Sequence, residues 1–336
     1  MRYTVPVENI ALKDYTTLKL GGKARYFFIT KNEEDIVSAV DFALSRNLPI
    51  FPLGGGSNVV VSDEVAPIVC IKLENKGIEI TEDIVTASSG ETWDDFVDFA
   101  VTNNLSGIEA LSAIPGTVGA SPIQNIGAYG AEVSQTIISV RGYNIFTKKF
   151  EILSNADCKF GYRTSIFKNE LKNKFIIESV TFKLSKKTPK IPDYPLVAET
   201  ISEFPEVSLL VRIRKAIQKI RASKLPDPKK IQNVGSFFKN VFVDEKTYQK
   251  ILKKYPDLPN FKSENKYKIP SGWLIEKAGY KGYQKNGVGV YEKNALVLVN
   301  FSSERTKNLL SLAKKIQNDV REKFGLELQI EPEIVS

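Results

Sequence analysis

Apolar side chains recur with two periods along the chain, and those periods divide it into strands and helices. Residues 24–30, ARYFFIT, read as a first strand. Asn32, Glu33, Glu34 and Asp35 open a helix whose Ile36, Val40 and Leu44 fall on one face at i, i+4 spacing. Residues 49–53 form a short strand, and the β-branched residues Val59, Val60 and Val61 form another. Short strands alternate through 66–90, around Ile68 and Ile84. Thr92 with Asp95 predicts a capping box before a helix bearing Trp93, Phe96 and Phe99. Strands follow at 137–143, 148–152 and 174–183, the last alternating like a half-exposed strand. A lysine-rich tract at 185–206 with Pro189, Pro192, Pro195 and Pro205 predicts a linker or excursion. Beyond it, residues 207–222 bring Leu210, Ile213, Ile217 and Ile220 to one helical face. A helix from Asp244, a short helix capped by Ser271, strands within 288–299, an amphipathic helix over 303–324 and a last strand at 326–330 complete the pattern.

One stretch has neither period. Residues 114–130, IPGTVGASPIQNIGAYG, hold four glycines, two prolines and no charge. Glycine permits positive φ and close backbone approach while proline fixes φ, so the run reads as a shaped main-chain surface. Two readings stand: a wall touching a large ligand, or a buried loop with tight turns. The glycines at 54–56 open no dinucleotide fingerprint, because they run into a strand and not a helix. Their amides still suit a backbone nest for phosphate.

Composition narrows the chemistry. The 336 residues are long enough for two or three domains; 42% are hydrophobic and 26% charged, as in an ordinary globular protein. No apolar run approaches the roughly 20 residues of a membrane span, and the first residues lack a secretory pattern, so a cytoplasmic location is expected. The net charge of +8 is interleaved with acids, which reads as a solvated basic surface and not a nucleic-acid arm. Cys70 and Cys158 have neither disulfide nor metal-ligand spacing. The chain has no histidine, which excludes histidine triads and histidine metal sites. Proton transfer then rests on Ser, Tyr, Lys, Glu, Asp or water. Three places stand out: Arg163 beside Tyr162, a fork of donors for a carboxylate or a surface ion pair; Ser236 between a glycine and two phenylalanines, a proton relay or a turn serine; and Glu333 after the last predicted strand, an acid–base group or a solvated glutamate.

Eight motifs in order carry a resemblance: GGGSN at 54–58, IPGTVG at 114–119, PIQNIGAYG at 122–130, FGYR at 160–163, KLPDP at 224–228, GSFFKN at 235–240, SGWLIE at 271–276 and EPE at 331–333. On them the chain closely resembles the UDP-N-acetylenolpyruvoylglucosamine reductase (MurB) family, in its type I form, over about residues 15–334. The resemblance implies an α+β fold of the FAD-binding vanillyl-alcohol-oxidase type: FAD subdomains at 1–66 and 67–206, and a substrate-binding domain at 207–336. It implies a bacterial enzyme of peptidoglycan synthesis, a monomer acting on small molecules, with no nucleic-acid partner and no membrane insertion. NADPH reduces FAD, whose N5 gives hydride to C3 of UDP-N-acetylglucosamine enolpyruvate. A proton at C2 then yields UDP-N-acetylmuramate.

The resemblance also implies roles, residue by residue. Ser236 stands at the proton donor's position, and Arg163 and Glu333 where the substrate carboxyl is polarised and the enolate-like intermediate stabilised. A glutamate there has to be protonated or paired with a cation to help an anion. Cofactor contacts fall on Pro52, Leu53, Gly54, Gly55, Gly56, Ser57 and Asn58, and on Ile114, Pro115, Gly116, Gly119, Ala120, Ser121, Gln124, Asn125, Gly127, Ala128, Tyr129 and Gly130, with Arg221. Substrate contacts fall on Tyr162, Tyr194, Lys224, Asn240 and Asn294. Val241, Tyr291 and Asn294 depart from the family's common proline, histidine and glutamine. A flavin oxidase of the same fold acting on a sugar or alcohol would lack a reason for the GSFFKN and EPE motifs, and a basic polyanion-binding protein would lack one for the uncharged, glycine-rich centre.

Overall fold

The computed structural model describes residues 5–263 and 265–336. Two compact units emerge: residues 5–10, 23–56 and 66–223 make the first, and 11–22, 57–65, 224–263 and 265–336 the second.

The first unit carries two sheets. One orders Val7–Ala11, Lys23–Thr30, Val69–Leu73 and Ile50–Leu53, with the last three parallel. Its helix, Glu33–Ser45, is capped by Asn32, whose side chain accepts from the Asp35 amide at 2.9 Å. Ile36 and Val40 pack from that helix onto Phe28, Val69 and Ile71. The second sheet is antiparallel and orders Lys149–Ser154, Ile137–Asn144, Phe175–Lys183, Ile84–Ser88 and Ile78–Thr81. Trp93 and Phe96 of helix Trp93–Thr102 cover it, with Phe96 4.8 Å from the Phe182 ring centroid. The alternation expected over 174–183 is broken: Phe175, Ile177, Val180 and Phe182 lie in this core while Ile176 is buried in the other, and a register shift between Ile177 and Ser179 changes the parity of the inner face.

Several expectations change. Thr92 precedes its helix but makes no capping bond; its backbone bridges to Thr117 instead. The tract at 185–206 holds a helix, Pro195–Thr200, with proline at its first turn, where a missing N–H costs nothing. Helix Leu209–Lys224, expected to open the third domain, belongs to the first unit up to Ser223. Its Ile213 and Ile217 pack with Val197 and Ile201, and its buried Arg214 reaches Asp94 at 2.7 Å and Asp98 at 3.0 Å. Those ion pairs hold it to helix Trp93–Thr102.

In the second unit, helix Thr306–Phe324 buries Leu309, Leu312, Ile316 and Val320 in one core with Phe237, Phe238, Leu274 and Val288. Gly325 ends it at φ 71°, the left-handed conformation that closes helices. One sheet orders Gln232–Ser236, Val297–Asn300, Val288–Val290 and Gln284–Lys285; another orders Val241–Val243, Lys266–Ile269 and Lys262–Ser263. Pro270, not Ser271, precedes helix Ser271–Lys277; Ser271 donates its hydroxyl to the Lys239 carbonyl. The strand expected at 326–330 is reduced to one bridge, Ile330 to Phe238. The last strand is Glu333–Val335, parallel to Val59–Val61, so Glu333 opens a strand and does not follow one. Among the described residues, no helix is long and apolar enough to cross a membrane.

Candidate active site

The first unit holds the glycine stretches and Arg163. Backbone bonds lay residues 116–119 along 89–93: Trp93 N–H donates to Gly116, Val118 N–H to Glu91 and Gly119 N–H to Ser89, at 2.8–3.1 Å. The 54–56 turn meets this ribbon with no room for side chains. A Cβ on Gly55 would lie 2.8 Å from Gly116 Cα, and one on Gly54 2.6 Å from Thr117 Oγ1. Glycine at both places is what lets the loops touch. Lys72 donates to the Gly54 carbonyl at 2.9 Å, and burial pulls its pKa down. Thr117 Oγ1 is buried with no hydrogen-bond partner among the described residues. Buried hydroxyls are rarely left so, and a group that takes up the bond only when bound is one physical reason.

Of the residues expected around the cofactor, Leu53, Gly56, Gly119, Ser121 and Asn125 are buried, while Pro52, Gly54, Gly55, Ile114, Gly116, Ala120, Gln124, Gly127, Ala128 and Tyr129 keep part of their surface. Pro115 and Gly130 are exposed. Ser121 turns its hydroxyl inward to the Val118 carbonyl at 2.7 Å. Ser57 and Asn58 fall in the second unit, where the Asn58 carbonyl accepts from Glu333 N–H at 2.9 Å. Tyr129 meets Tyr194 edge-on at 5.3 Å and hydrogen-bonds Arg221. Burial pushes the Tyr129 hydroxyl pKa up, and Arg221 opposes that shift. Arg221 also donates to the Ala113 carbonyl at 3.2 Å, which ties the helix to the start of the stretch.

Arg163 stands at the tip of a tight turn. Gly161 and Thr164 exchange N–H···O=C bonds of 3.1 and 3.2 Å, leaving Tyr162 and Arg163 between them. Arg163 has φ 52°, a conformation that glycine or asparagine usually fills. Its guanidinium donates to the Gly127 carbonyl at 2.7 Å and the Asn125 carbonyl at 3.4 Å. The uncharged stretch and the arginine are therefore one assembly. Tyr162 is exposed beside it, 5.5 Å from the guanidinium carbon.

The second unit holds the other two expected catalytic residues. Ser236 closes strand Gln232–Ser236, after Gly235 at φ 71°. Phe237 and Phe238 are wholly buried and anchor it from the C-terminal side. Phe237 N–H donates to Leu296, its carbonyl accepts from Glu331 N–H at 3.0 Å, and Lys239 N–H donates to Gln329. The chain that ends in Glu333 is thus hydrogen-bonded to the residue after Ser236. Asn240 accepts from Ser271 N–H and Asn294 from Leu296 N–H, both at 3.1 Å. Lys224 is exposed. Two residues outside the expected set belong to the picture: Thr117, whose only signal was its place among glycines, and Lys72, which nothing in a VCIKL strand marks.

The residues present fit a flavin cofactor, on the packed glycines and the partnerless Thr117 hydroxyl. Comparison with known proteins bears on the same point. An FAD binding domain family matches residues 24–149, and the C-terminal domain family of UDP-N-acetylenolpyruvoylglucosamine reductase matches 227–335. The chain is 40% identical over 335 residues to that reductase of Flavobacterium johnsoniae, covering 97% of this chain and 98% of the relative. To that of Bdellovibrio bacteriovorus it is 39% identical over 326 residues, covering 96% and 97%. The solved reductase of Thermus caldophilus shares its α+β fold, with a TM-score of 0.72 at 24% identity over 98% of this chain and 99% of that one.

Proposed function

The chain belongs to the UDP-N-acetylenolpyruvoylglucosamine reductase family, and we propose from that membership how its residues perform the reaction. The protein is an oxidoreductase of peptidoglycan synthesis that uses FAD, with NADPH as reductant. When bound, FAD supplies the hydride that goes to C3 of the enolpyruvyl group of the UDP-sugar substrate. The backbone of Gly54, Gly55, Gly116 and Thr117, with the Thr117 hydroxyl, would hold that cofactor, with Tyr129 and Arg221 as further contacts. Lys224, Asn240 and Asn294 of the 224–336 portion, with Tyr194, carry the sugar nucleotide, Lys224 and Tyr194 serving its diphosphate.

Addition of hydride at C3 leaves negative charge spread from C2 to the substrate carboxylate. Arg163 receives that charge. Its guanidinium is already held by two carbonyls, so little reorganisation is needed as charge develops. Glu333 stabilises the same charge, for which it has to be protonated or paired with a cation. Ser236 Oγ–H delivers a proton to C2, which completes the D-lactyl ether. In the absence of histidine, a serine set by two buried aromatics is a position-defined donor. The protein works as a cytoplasmic monomer, where its sugar-nucleotide substrate and NADPH are found.

The observation that carries this reading is the Arg163 turn: a strained cation fixed on the uncharged glycine-rich wall. The test is a pair of half-reactions followed through the flavin spectrum. NADPH added anaerobically is expected to bleach the yellow protein. The enolpyruvyl sugar nucleotide is then expected to restore the colour, and molecular oxygen to restore it far more slowly. Rapid recovery with oxygen alone, and none with the sugar nucleotide, would mean an oxidase.

A further inference from the structure

We propose that Asn125 is a positioning residue for Arg163, acting through a side-chain clamp on the arginine's turn; the proposal rests on the role given to Arg163 above. Asn125 is buried, with φ 47°, a conformation that asparagine, like aspartate, accepts more readily than most residues with a side chain. Its carbonyl accepts from Arg163 Nη1 at 3.4 Å. The amide does three further things. Nδ2 donates to the Gly161 carbonyl at 3.2 Å, the first residue of the arginine's turn. Nδ2 also donates to Glu132 Oε2 at 2.8 Å, and Oδ1 accepts from Ser134 N–H at 3.0 Å.

Both amide hydrogens and the carbonyl oxygen are thus used, and each end of the clamp bears on Arg163. One end fixes the base of its turn and the other fixes the carbonyl beneath its guanidinium. Neighbours leave no slack: a Cβ on Gly127 would lie 3.0 Å from Glu132 Cγ and 3.1 Å from Arg163 Nη1. Asn125 therefore belongs with the arginine more than with the cofactor. Among the described residues, the charged side chains bonded to it are Glu132, through the amide, and Arg163, through the carbonyl.

The variant Asn125→Asp separates this from a cofactor role. It keeps the shape and the tolerance for positive φ but loses both N–H donors, and it sets a second carboxylate against Glu132. Two carboxylates at that distance favour sharing one proton, which restores a donor. In the flavin-loaded protein at neutral pH, we expect reoxidation by the enolpyruvyl sugar nucleotide to slow about 10- to 100-fold, the range for losing a supporting-shell partner. Reduction by NADPH should change far less. As pH falls, the variant's reoxidation should recover relative to the parent protein. In an Arg163→Ala background the same substitution should add little further loss, because the clamp then has nothing to position. Equal slowing of both half-reactions, full additivity with Arg163→Ala, or absence of recovery at low pH would each overturn the proposal. If Arg163→Ala itself reoxidised normally, the arginine's role falls and this inference with it. If Arg163→Ala is slow and Asn125→Asp is normal, only the positioning role falls.

Discussion

Arg163 sits in a left-handed conformation with its guanidinium bonded to two carbonyls, whereas Ser236 ends an ordinary strand and is fixed through its neighbours. The left-handed backbone costs a non-glycine residue roughly 1–2 kcal/mol, and the turn around Arg163 has to supply it. Ser236 needs no such support. Gly235 takes the positive φ in its place, and Phe237 and Phe238 hold the chain by burial. The difference matches the role proposed for each. A stabiliser of developing charge gains from being rigid and aimed beforehand, because reorganisation is then avoided. A proton donor has to swing its O–H onto one carbon and later take a proton back, so its anchor belongs in the main chain.

The largest effect is expected where that division is cut at the serine. Ser236→Ala removes the proton and nothing that holds the fold. Reoxidation by the enolpyruvyl sugar nucleotide should fall about 10²- to 10⁴-fold, the usual contribution of a positioned acid. Bleaching by NADPH should stay at the parent rate. Stopped-flow traces of the two half-reactions check both, and an unchanged second phase would sink the assignment. Ser236→Cys, which keeps a proton on the same atom position, should recover part of the loss.

Arg163→Ala should cost somewhat less, about 10²- to 10³-fold in the same half-reaction, the range for one preorganised donor. Arg163→Lys sharpens the comparison. If rigidity matters, lysine should recover little, since one ammonium on a flexible stem cannot bond two carbonyls and a carboxylate in a fixed plane. If charge alone matters, lysine should recover most of it. Single-turnover rates for the two variants decide between a fork and a point charge.

Much of this was legible in the chain. The 3.6 period gave helix Thr306–Phe324 its inner stripe, whereas the half-exposed alternation expected over 174–183 is broken by a register shift and by burial of both faces. The residues that would do chemistry stood out because histidine was missing. What stayed hidden was set by partners far away in sequence. Leu326 to Ile330 has strand-like residues but only one bridging partner; Glu333–Val335 becomes the strand because Val59–Val61 lies beside it. Thr92 reads as a cap until Thr117 takes its backbone as a partner. The arginine turn has no glycine where the left-handed residue sits, so turn chemistry gave no signal there. Its conformation is imposed by Asn125 and Gly127, more than thirty positions earlier.

The smallest effect is expected at Thr117, and its sign is the informative part. Valine has the shape of threonine without the hydroxyl. In the apoprotein, Thr117→Val removes a buried oxygen that lacks a partner, and releasing such a group is worth about 1 kcal/mol or somewhat more. The apoprotein should therefore melt a few degrees higher than the parent. With FAD bound, the same hydroxyl has gained its partner, so the variant should bind flavin more weakly, by about 1 kcal/mol or roughly fivefold in Kd. The stabilisation that FAD confers on melting should shrink accordingly. Melting curves with and without FAD, beside a flavin titration, measure both terms. A higher apoprotein midpoint with unchanged flavin affinity would mean that the hydroxyl is merely strained, and that the glycine wall holds the cofactor through its backbone alone.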